Sequence, residues 1–149
     1  MDIQEPAVAG TKARLEEALP GHLRPQLTAL QGCHAALLEA MDPNVAKLIC
    51  FNLGYLPSGD KSIITTGATT TAALTAAMRV LAPGGLISIL AYIGHPGGLE
   101  EYEAVQQFLT GLPAAGWTAS EHRIRNRPTA PVLLLIQKHL DKRRSNPSS

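Results

Sequence analysis

Residues 46–98 decide the fold, and they read AKLICFNLGYLPSGDKSIITTGATTTAALTAAMRVLAPGGLISILAYIGHPGG. The first apolar run, Ala46–Leu53, has no clean period of two, which predicts a strand that is covered on both faces and central in its sheet. Apolar residues at helical spacing then predict a helix from about Ala68 to Leu81, and a second apolar run predicts a strand over Leu86–Tyr92. A strand, a helix and a strand in this order predict two parallel strands joined by a helical crossover.

The alternation of strands and helices continues on both sides of this unit. Upstream, the pattern predicts two strands and two helices, in the order Met1–Ile3, Glu5–Leu19, Gln26–Gln31 and Ala35–Met41. Downstream, a helix follows the glycine-rich turn at 94–98, and two last strands are predicted over Trp117–Ile124 and Pro131–Gln137. Because no helix separates these last strands, we expect an antiparallel hairpin. The predicted fold class is α/β.

Composition narrows the class of protein. The chain has 149 residues, of which 45% are hydrophobic and 17% charged, and this predicts one domain over residues 1–138. A net charge of +1 excludes a protein that binds nucleic acid by bulk charge, although a local basic patch remains compatible with it. No apolar run approaches the length of a membrane span, and the two cysteines and five histidines lack metal-ligand spacing, so we expect neither membrane nor metal. The segment His139–Ser149 is predicted to be a basic, Ser/Pro-rich disordered tail.

Polar residues follow the predicted strands, where open α/β sheets bind their ligands. Asp2 ends the first strand, and its carboxylate is suited either to the two hydroxyls of a ribose or to capping the next helix. Asn52 ends the strand at 46–53 and offers both an acceptor and donors to a reacting nitrogen. Tyr55, Asp60 and Lys61 follow in a long loop, which is either part of a site or a plain surface turn.

Other candidates lie further along the chain. His95 follows the strand at 86–92 and is suited to proton transfer near neutral pH, the alternative being a turn histidine without a task. His34, beside Cys33, can line the same crevice. Three arginines alternate along the last part of a predicted strand and therefore share one face, which either holds phosphates or is a solvated edge protected by charge. They are Arg123, Arg125 and Arg127.

Three blocks of the chain resemble a known family. The blocks DIQEPAVAGTKARL, FNLGYLPSGDKSIITT and PGGLISILAYIGHPGGLEEYEAV are similar to those of small Rossmann-type rRNA methyltransferases, and the likeness covers residues 2–138. Some members methylate the aminomethyl group of 5-aminomethyl-2-thiouridine at the wobble position of tRNA. The resemblance implies a class I methyltransferase sheet, S-adenosylmethionine as the methyl donor, and the anticodon region of a tRNA as partner. It also implies a cytoplasmic protein, or an organellar one if the true N-terminus is longer.

The resemblance also implies roles for single residues. Those expected to bind the cofactor are Asp2, Gln4, His34, Asn52, Leu53 and Gly54. Those expected to contact the acceptor nucleotide are Tyr55 and Lys61, together with the three arginines Arg123, Arg125 and Arg127. Catalysis requires an amine with its lone pair free and correctly aligned, and the candidates for this are Asn52, Asp60 and His95.

The chain departs from the family at its beginning. Family members have a first strand and a glycine-rich turn before the acidic residue that corresponds to Asp2, whereas here only Met1 precedes it. We therefore expect a sheet interrupted between Met1–Ile3 and Ala46–Leu53, and weak cofactor binding. The alternative function is an inactive remnant that binds RNA or a partner through its arginines, and a homodimer through the late strands is a further expectation. A nucleotide-binding oxidoreductase is disfavoured, because no G-x-G-x-x-G follows a strand.

Overall fold

The computed structural model describes residues 1–54 and 66–140, which form four helices and a four-stranded sheet. The helices are α1 (Glu5–Ala18), α2 (His34–Glu39), α3 (Gly67–Val80) and α4 (Gly98–Thr110), and a 3₁₀ turn spans Arg24–Gln26. The strands are β1 (Ala46–Asn52), β2 (Leu81–Ala91), β3 (Trp117–His122) and β4 (Val132–Lys138). The predicted α/β class with a C-terminal antiparallel hairpin is confirmed.

The strands lie in the order β1-β2-β4-β3. β1 and β2 are parallel, with Asn52 opposite Leu90, and β4 is antiparallel to both of its neighbours. Because β3 is antiparallel to β4, it runs in the same direction as β1 and β2. The carboxyl ends of β1, β2 and β3 therefore lie at one edge of the sheet, called here the carboxyl edge.

The core lies between the sheet and helices α2, α3 and α4. Ile87 and Ile89 on β2 are fully buried, and Leu134 and Ile136 oppose them on β4. From the helices, the fully buried Ala73, Leu74 and Ala77 of α3 join the same cluster, together with Tyr102 and Val105 of α4. Because alanine has a small side chain, the Ala- and Thr-rich sequence of α3 allows its backbone to lie close to the strands.

β1 is not the central strand that its apolar sequence predicts. Among the described residues it pairs with β2 alone, so it forms one edge of the sheet, with Leu48 59% exposed and Cys50 exposed as well. The expected interruption of the sheet is confirmed, because Asp2 forms an isolated parallel bridge with Gln31, apart from the four strands.

Two other predicted boundaries are wrong. The strand predicted over Gln26–Gln31 is reduced to the bridge at its last residue, because Pro25 begins a 3₁₀ turn and Asp2 offers a partner of only one residue. β2 begins at Leu81 and not at Leu86. Its pairing with β1 changes register between Leu81 and Leu86, where the sequence contains Pro83 and two glycines.

In the described ranges, none of the helices has the length and apolar character needed to cross a bilayer. The same residues contain no cluster of three or more histidine, cysteine, aspartate or glutamate side chains suited to hold a metal ion.

One arginine fixes the end of α2 against α3. Nη2 of Arg79 lies 3.1, 2.8 and 2.7 Å from the carbonyl oxygens of Leu38, Glu39 and Met41. The Leu38 carbonyl also accepts from the Met41 N–H at 3.2 Å, and the three carbonyls lie at the end of the helix, where a cation also interacts favourably with the negative end of the helix dipole.

We expect Arg79→Met to lower the free energy of unfolding by about 1–2 kcal/mol, because hydrogen bonds from a charged donor to partly or fully exposed carbonyls at the end of α2 are lost. Urea unfolding followed by circular dichroism measures this. Arg14→Met, at an exposed position of α1, is the matched control and is expected to change stability by less than about 0.5 kcal/mol. Equal effects of the two substitutions would contradict the assigned role of Arg79.

Candidate functional site

The turn after β2 brings His95 against the end of β1. A Cβ atom built on Gly54 would lie 3.4 Å from Nε2 of His95, and one built on Gly98 would lie 2.9 Å from the same atom. The imidazole is therefore enclosed between two glycines, where the carboxyl ends of the parallel strands β1 and β2 meet. This is the position at which the sequence predicts a site.

The glycines of this turn are required by close contacts. A Cβ on Gly98 would lie only 2.2 Å from the carbonyl oxygen of Tyr92, which no side chain permits. Gly54 has φ +129° and Gly97 has φ +82°, in the left-handed region that favours glycine. The GHPGG motif thus encodes a turn so narrow that α4 begins directly beside the last residues of β2.

The hydrogen bond of the His95 ring fixes its tautomer. Nδ1 lies 2.9 Å from the carbonyl oxygen of Pro96, and because a carbonyl only accepts, Nδ1 carries a proton. In the neutral ring Nε2 is then the proton acceptor. His95 is partly buried, and this hydrogen bond orients its ring so that Nε2 faces the two glycines.

A buried acidic side chain joins the start of α4 to α3. Glu101, in the first turn of α4, is 3% exposed, and the hydroxyl of Thr70 donates to its Oε1 at 2.5 Å. Both residues lie near the N-termini of their helices, where the helix dipoles stabilise negative charge. From the sequence, Glu101 is only an acid that suits the start of a helix, and nothing there indicates its burial.

His34 lies beside β1, as the prediction of a crevice residue requires. Its ring packs edge-on against Phe51, with 6.0 Å between centroids and an interplanar angle of 86°. Nε2 of His34 is buried and has no hydrogen-bond partner among the described residues. A buried polar atom of this kind is unfavourable unless a ligand or water binds it, which fits a role in holding a polar ligand near Asn52. Asn52 itself is exposed, and the next residue, Leu53, is buried.

Asp2 and Gln4 lie in a separate part of the described chain. Oδ1 of Asp2 accepts from the backbone N–H of Gln4 at 2.9 Å, and the backbone of Asp2 bonds to Leu30 and Gly32. In residues 1–54 and 66–140, the hydrogen bonds of this pair stay within the N-terminal segment, so no such bond joins them to the carboxyl edge. Tyr55, Asp60 and Lys61 fall outside the described residues.

The three arginines do not share a face of a strand, and that prediction is wrong. β3 ends at His122, which lies opposite Leu133, and Arg123 is the first residue of the connection to β4. Beyond this pair the chain turns, because prolines at 128 and 131 lack the N–H groups that a ladder needs. Residues 123–131 are called here the Arg loop.

The Arg loop belongs to the carboxyl edge. β3 runs parallel to β2, so the loop leaves the sheet on the same side as His95. A Cβ built on Gly94 would lie 3.2 Å from the carbonyl oxygen of Thr129, which places the loop in close contact with the turn that carries His95. Arg125 and Arg127 are both exposed there.

Arg123 is held in a cluster of its own. The hydroxyl of Tyr102 donates to Oε2 of Glu121 at 2.7 Å, and Nε2 of Gln106 donates to the same oxygen at 2.8 Å. Arg123 donates from Nε to Oε1 of Glu121 and from Nη2 to the oxygen of Tyr102, and its guanidinium carbon lies 4.8 Å from the Tyr102 ring centroid. These four residues are called here the Tyr102 cluster, and the sequence contains no signal for it, since it depends on how α4 lies against β3.

The cluster shifts the pKa of its members. Burial alone would raise the pKa of Glu121, but hydrogen bonds from Tyr102, Arg123 and Gln106 outweigh it and hold the pKa below the ordinary 4.5. Burial, followed by the hydrogen bond to Glu121, raises the pKa of Tyr102. The hydrogen bonds to Tyr102 and Glu121 raise the pKa of Arg123. At neutral pH the cluster therefore contains a carboxylate and a guanidinium that compensate each other.

Similarity to known proteins extends over most of the chain. Residues 1–138 match the family model described as "Putative rRNA methylase". The chain is 45% identical over 139 residues to the chloroplastic tRNA (mnm(5)s(2)U34)-methyltransferase of Arabidopsis thaliana, covering 93% of this chain and 51% of that protein. The chain thus spans about half the length of that curated relative.

Solved structures give the same result. A "putative rRNA-methylase" from Clostridium thermocellum matches with a TM-score of 0.82 at 37% identity, over 92% of this chain and 72% of the other. A "putative methyltransferase" from Streptococcus mutans, in complex with SAH, matches with a TM-score of 0.74 at 31% identity, over 92% and 73% of the two chains. The family-model match extends across the turn that holds His95.

We expect Gly98→Ala to destabilise the protein, although alanine favours helices, because the new Cβ would overlap the Tyr92 carbonyl oxygen. The loss should be about 1–3 kcal/mol, as for other overpacked positions. Gly10→Ala in α1 is the matched control, since nothing lies within 4 Å of its Cβ, and it should stabilise by about 0.5–1 kcal/mol. Urea unfolding measures both effects. Stabilisation by both substitutions would contradict the close contact between Gly98 and the Tyr92 carbonyl oxygen.

We expect the effect of Glu121→Gln on stability to depend on pH. Because folding lowers the pKa of Glu121, its contribution is fully present above pH 4.5 and is lost as the pH falls through the folded-state pKa. The free energy of unfolding of the wild type should exceed that of the variant by about 0.5–1 kcal/mol at neutral pH, and this difference should disappear at acidic pH. Unfolding in urea across this pH range measures it. Glu103→Gln, an exposed acid of α4, should give no pH-dependent difference, and a constant difference for Glu121→Gln would refute the assignment.

Proposed function

This chain belongs to the rRNA methylase family, and we propose that it is an S-adenosylmethionine-dependent methyltransferase that N-methylates the aminomethyl group of a wobble 2-thiouridine in tRNA. The observation that carries the proposal is the position of Nε2 of His95 between Gly54 and Gly98, at the carboxyl edge. A fixed proton acceptor at this edge is what methylation of an amine requires.

The cofactor residues are proposed from their positions. The structural relative from S. mutans binds SAH, which supports S-adenosylmethionine as the donor here. Its sulfonium supplies an electrophilic methyl group. We propose that Asn52, Leu53 and Gly54 bind the reacting end of the donor and that Nε2 of His34 bonds to its nucleoside, which would satisfy an otherwise unpartnered buried atom. Asp2 and Gln4 are proposed to bind the ribose, since the second carboxylate oxygen of Asp2 can accept from a hydroxyl.

The chemistry follows from the state of the acceptor. An alkyl amine is protonated at neutral pH, much like a lysine side chain, so it has no lone pair for attack. In the proposed reaction Nε2 of His95 takes one proton from the ammonium, the nitrogen forms a bond to the methyl carbon, and the carbon–sulfur bond breaks. Oδ1 of Asn52 accepts from a remaining N–H and aligns the nitrogen at near-attack distance. Asp60 is the second candidate for the proton acceptor.

The acceptor and partners are proposals of the same kind. The Arabidopsis relative is named for tRNA and for a chloroplast, which supports tRNA as the partner and keeps both an organelle and the cytoplasm open as compartments. We propose that Tyr55 and Lys61 contact the target nucleotide and that the Arg loop contacts its backbone. A homodimer through the β3 edge is a further proposal, since β3 has β4 as its only strand partner among the described residues.

We expect His95→Gln to lower kcat for methyl transfer roughly 10²- to 10⁴-fold, because a glutamine of similar size cannot accept the proton. The measurement is incorporation of labelled methyl groups from saturating S-adenosylmethionine into tRNA that carries 5-aminomethyl-2-thiouridine. His22→Gln, at an exposed position outside the site, is the matched control and should leave kcat unchanged. Full activity of His95→Gln would refute His95 as the base, and no incorporation by wild type would refute the proposed function.

The second candidate function is an inactive remnant that binds RNA or a partner subunit. It is favoured by one observation, namely that β1 has a strand partner on one side only among the described residues, while Asp2 lies on a separate bridge. This candidate predicts retention of tRNA without methyl incorporation, and very weak binding of S-adenosylmethionine in calorimetry. A micromolar dissociation constant would contradict it.

A further inference from the structure

We infer that the arginines of the Arg loop have two different roles: Arg123 is a positioning residue held by Tyr102 and Glu121, whereas Arg125 and Arg127 bind the phosphates of an RNA backbone. The inference rests on the proposed function for its RNA, and it goes further by dividing residues that the sequence treats as equivalent.

Two of the three guanidinium nitrogens of Arg123, Nε and Nη2, already donate hydrogen bonds within the Tyr102 cluster. Its Nε bonds to a carboxylate and its Nη2 to a phenol oxygen, and one face of the guanidinium lies over the Tyr102 ring. The side chains of Arg123 and Glu121 are 43% and 28% exposed, so the pair is partly removed from water and its charges compensate. A compensated arginine with a stacked face contributes little to binding a phosphate.

The anchor for Arg123 is rigid. Tyr102 is 2% exposed and belongs to the core of α4, and Gln106, one turn further along the helix, bonds to the same Glu121. The cluster therefore fixes the first residue of the Arg loop to both α4 and β3. Backbone bonds then continue the loop, from Arg127 N–H to the Ile124 oxygen at 3.3 Å and from Ala130 N–H to the Arg127 oxygen at 3.1 Å.

Arg125 and Arg127 differ from Arg123 in that their side chains are not engaged by other described residues. Both are exposed, and within the described residues neither side chain has a hydrogen-bond or ion-pair partner. Arg125 lines an open depression at the end of β3, together with Glu121, His122 and Arg123. Their loop contacts the His95 turn through Thr129, so the backbone of an RNA whose target base lies at the carboxyl edge passes within their reach.

Charge balance supports the same division. The whole chain has a net charge of only +1, so attraction to RNA has to come from a local group of cations. Between residues 121 and 127, Glu121 cancels Arg123, and Arg125 and Arg127 remain. Each phosphate contact releases counterions, so the logarithm of the RNA association constant falls with the logarithm of salt concentration, by about 0.7 per contact on single strands.

The test measures binding of a fluorescent anticodon stem-loop by anisotropy over a range of salt concentrations. Arg125→Ala and Arg127→Ala should each reduce the salt slope by about 0.7 and weaken binding roughly fivefold near 0.1 M salt, with no change in melting temperature. Arg123→Ala should keep the wild-type slope, weaken binding roughly two- to tenfold at every salt concentration, and lower the melting temperature, because the loop is no longer pre-ordered. Arg14→Ala on α1 is the matched control and should match wild type.

Tyr102→Phe provides an independent variant, since it keeps the ring and removes only the oxygen that joins Arg123 to Glu121. It should reproduce the uniform loss of affinity without a change in slope. A loss of slope in Arg123→Ala equal to that in Arg125→Ala would overturn the division of roles. So would a wild-type slope near zero, or Arg125→Ala and Arg127→Ala variants that behave like Arg14→Ala.

Failure of this inference and failure of the proposed function are distinguishable. Methyl incorporation into tRNA with equal salt slopes for all three arginine variants would keep the function and overturn the division. The expected slopes without any methyl incorporation would keep the division and overturn the function. Binding of a protein partner in place of RNA would give a wild-type RNA slope near zero, which overturns the inference.

Discussion

The close approach of the Tyr92 carbonyl oxygen to Gly98 is the constraint on which most of the structure depends. It sets how β2 passes into α4, and it leaves no space for a side chain at that position. The direction of α4 then determines where Glu101 is buried, where the Tyr102 ring enters the core, and where Glu121 of β3 can bond to Tyr102. The His95 ring occupies the small space inside this turn. One backbone contact therefore constrains the position of His95, the burial of Glu101 and the anchor of the Arg loop together.

Much of the fold was predictable from short stretches of sequence, because the helices and the late hairpin depend on residues that are close together in the chain. The helices at 5–18, 67–80 and 98–110 follow from apolar spacing, and the late hairpin follows from the absence of a helix between two strands. The position of β1 did not follow, because an apolar run indicates that a strand is buried in some sheet but does not identify its neighbours. The prediction of a strand at 26–31 was wrong for a similar reason. A strand needs a neighbouring strand to bond with, and the sequence of a segment does not show whether one is present.

The residues of the candidate site also fall into those that the sequence could predict and those that it could not. His95 and its glycines were predictable, since a turn with several glycines after a buried strand is a local signal. The burial of Glu101 and the engagement of Arg123 were not, because each depends on contact between elements far apart in sequence. The alternating arginines were misread because alternation predicts a shared face only while the strand continues, and here it stops at His122.

The order of the strands in the sheet also constrains how the chain folds during synthesis. β4 is the last strand in sequence, yet it lies between β2 and β3 and pairs with both. Until residue 138 has left the ribosome, β2 is a bare edge strand and β3 has no partner in the sheet, so the apolar positions of both remain exposed. The interval before β4 joins the sheet is therefore the stage of folding at which exposed strand edges most favour aggregation, although α3 and α4 are already available.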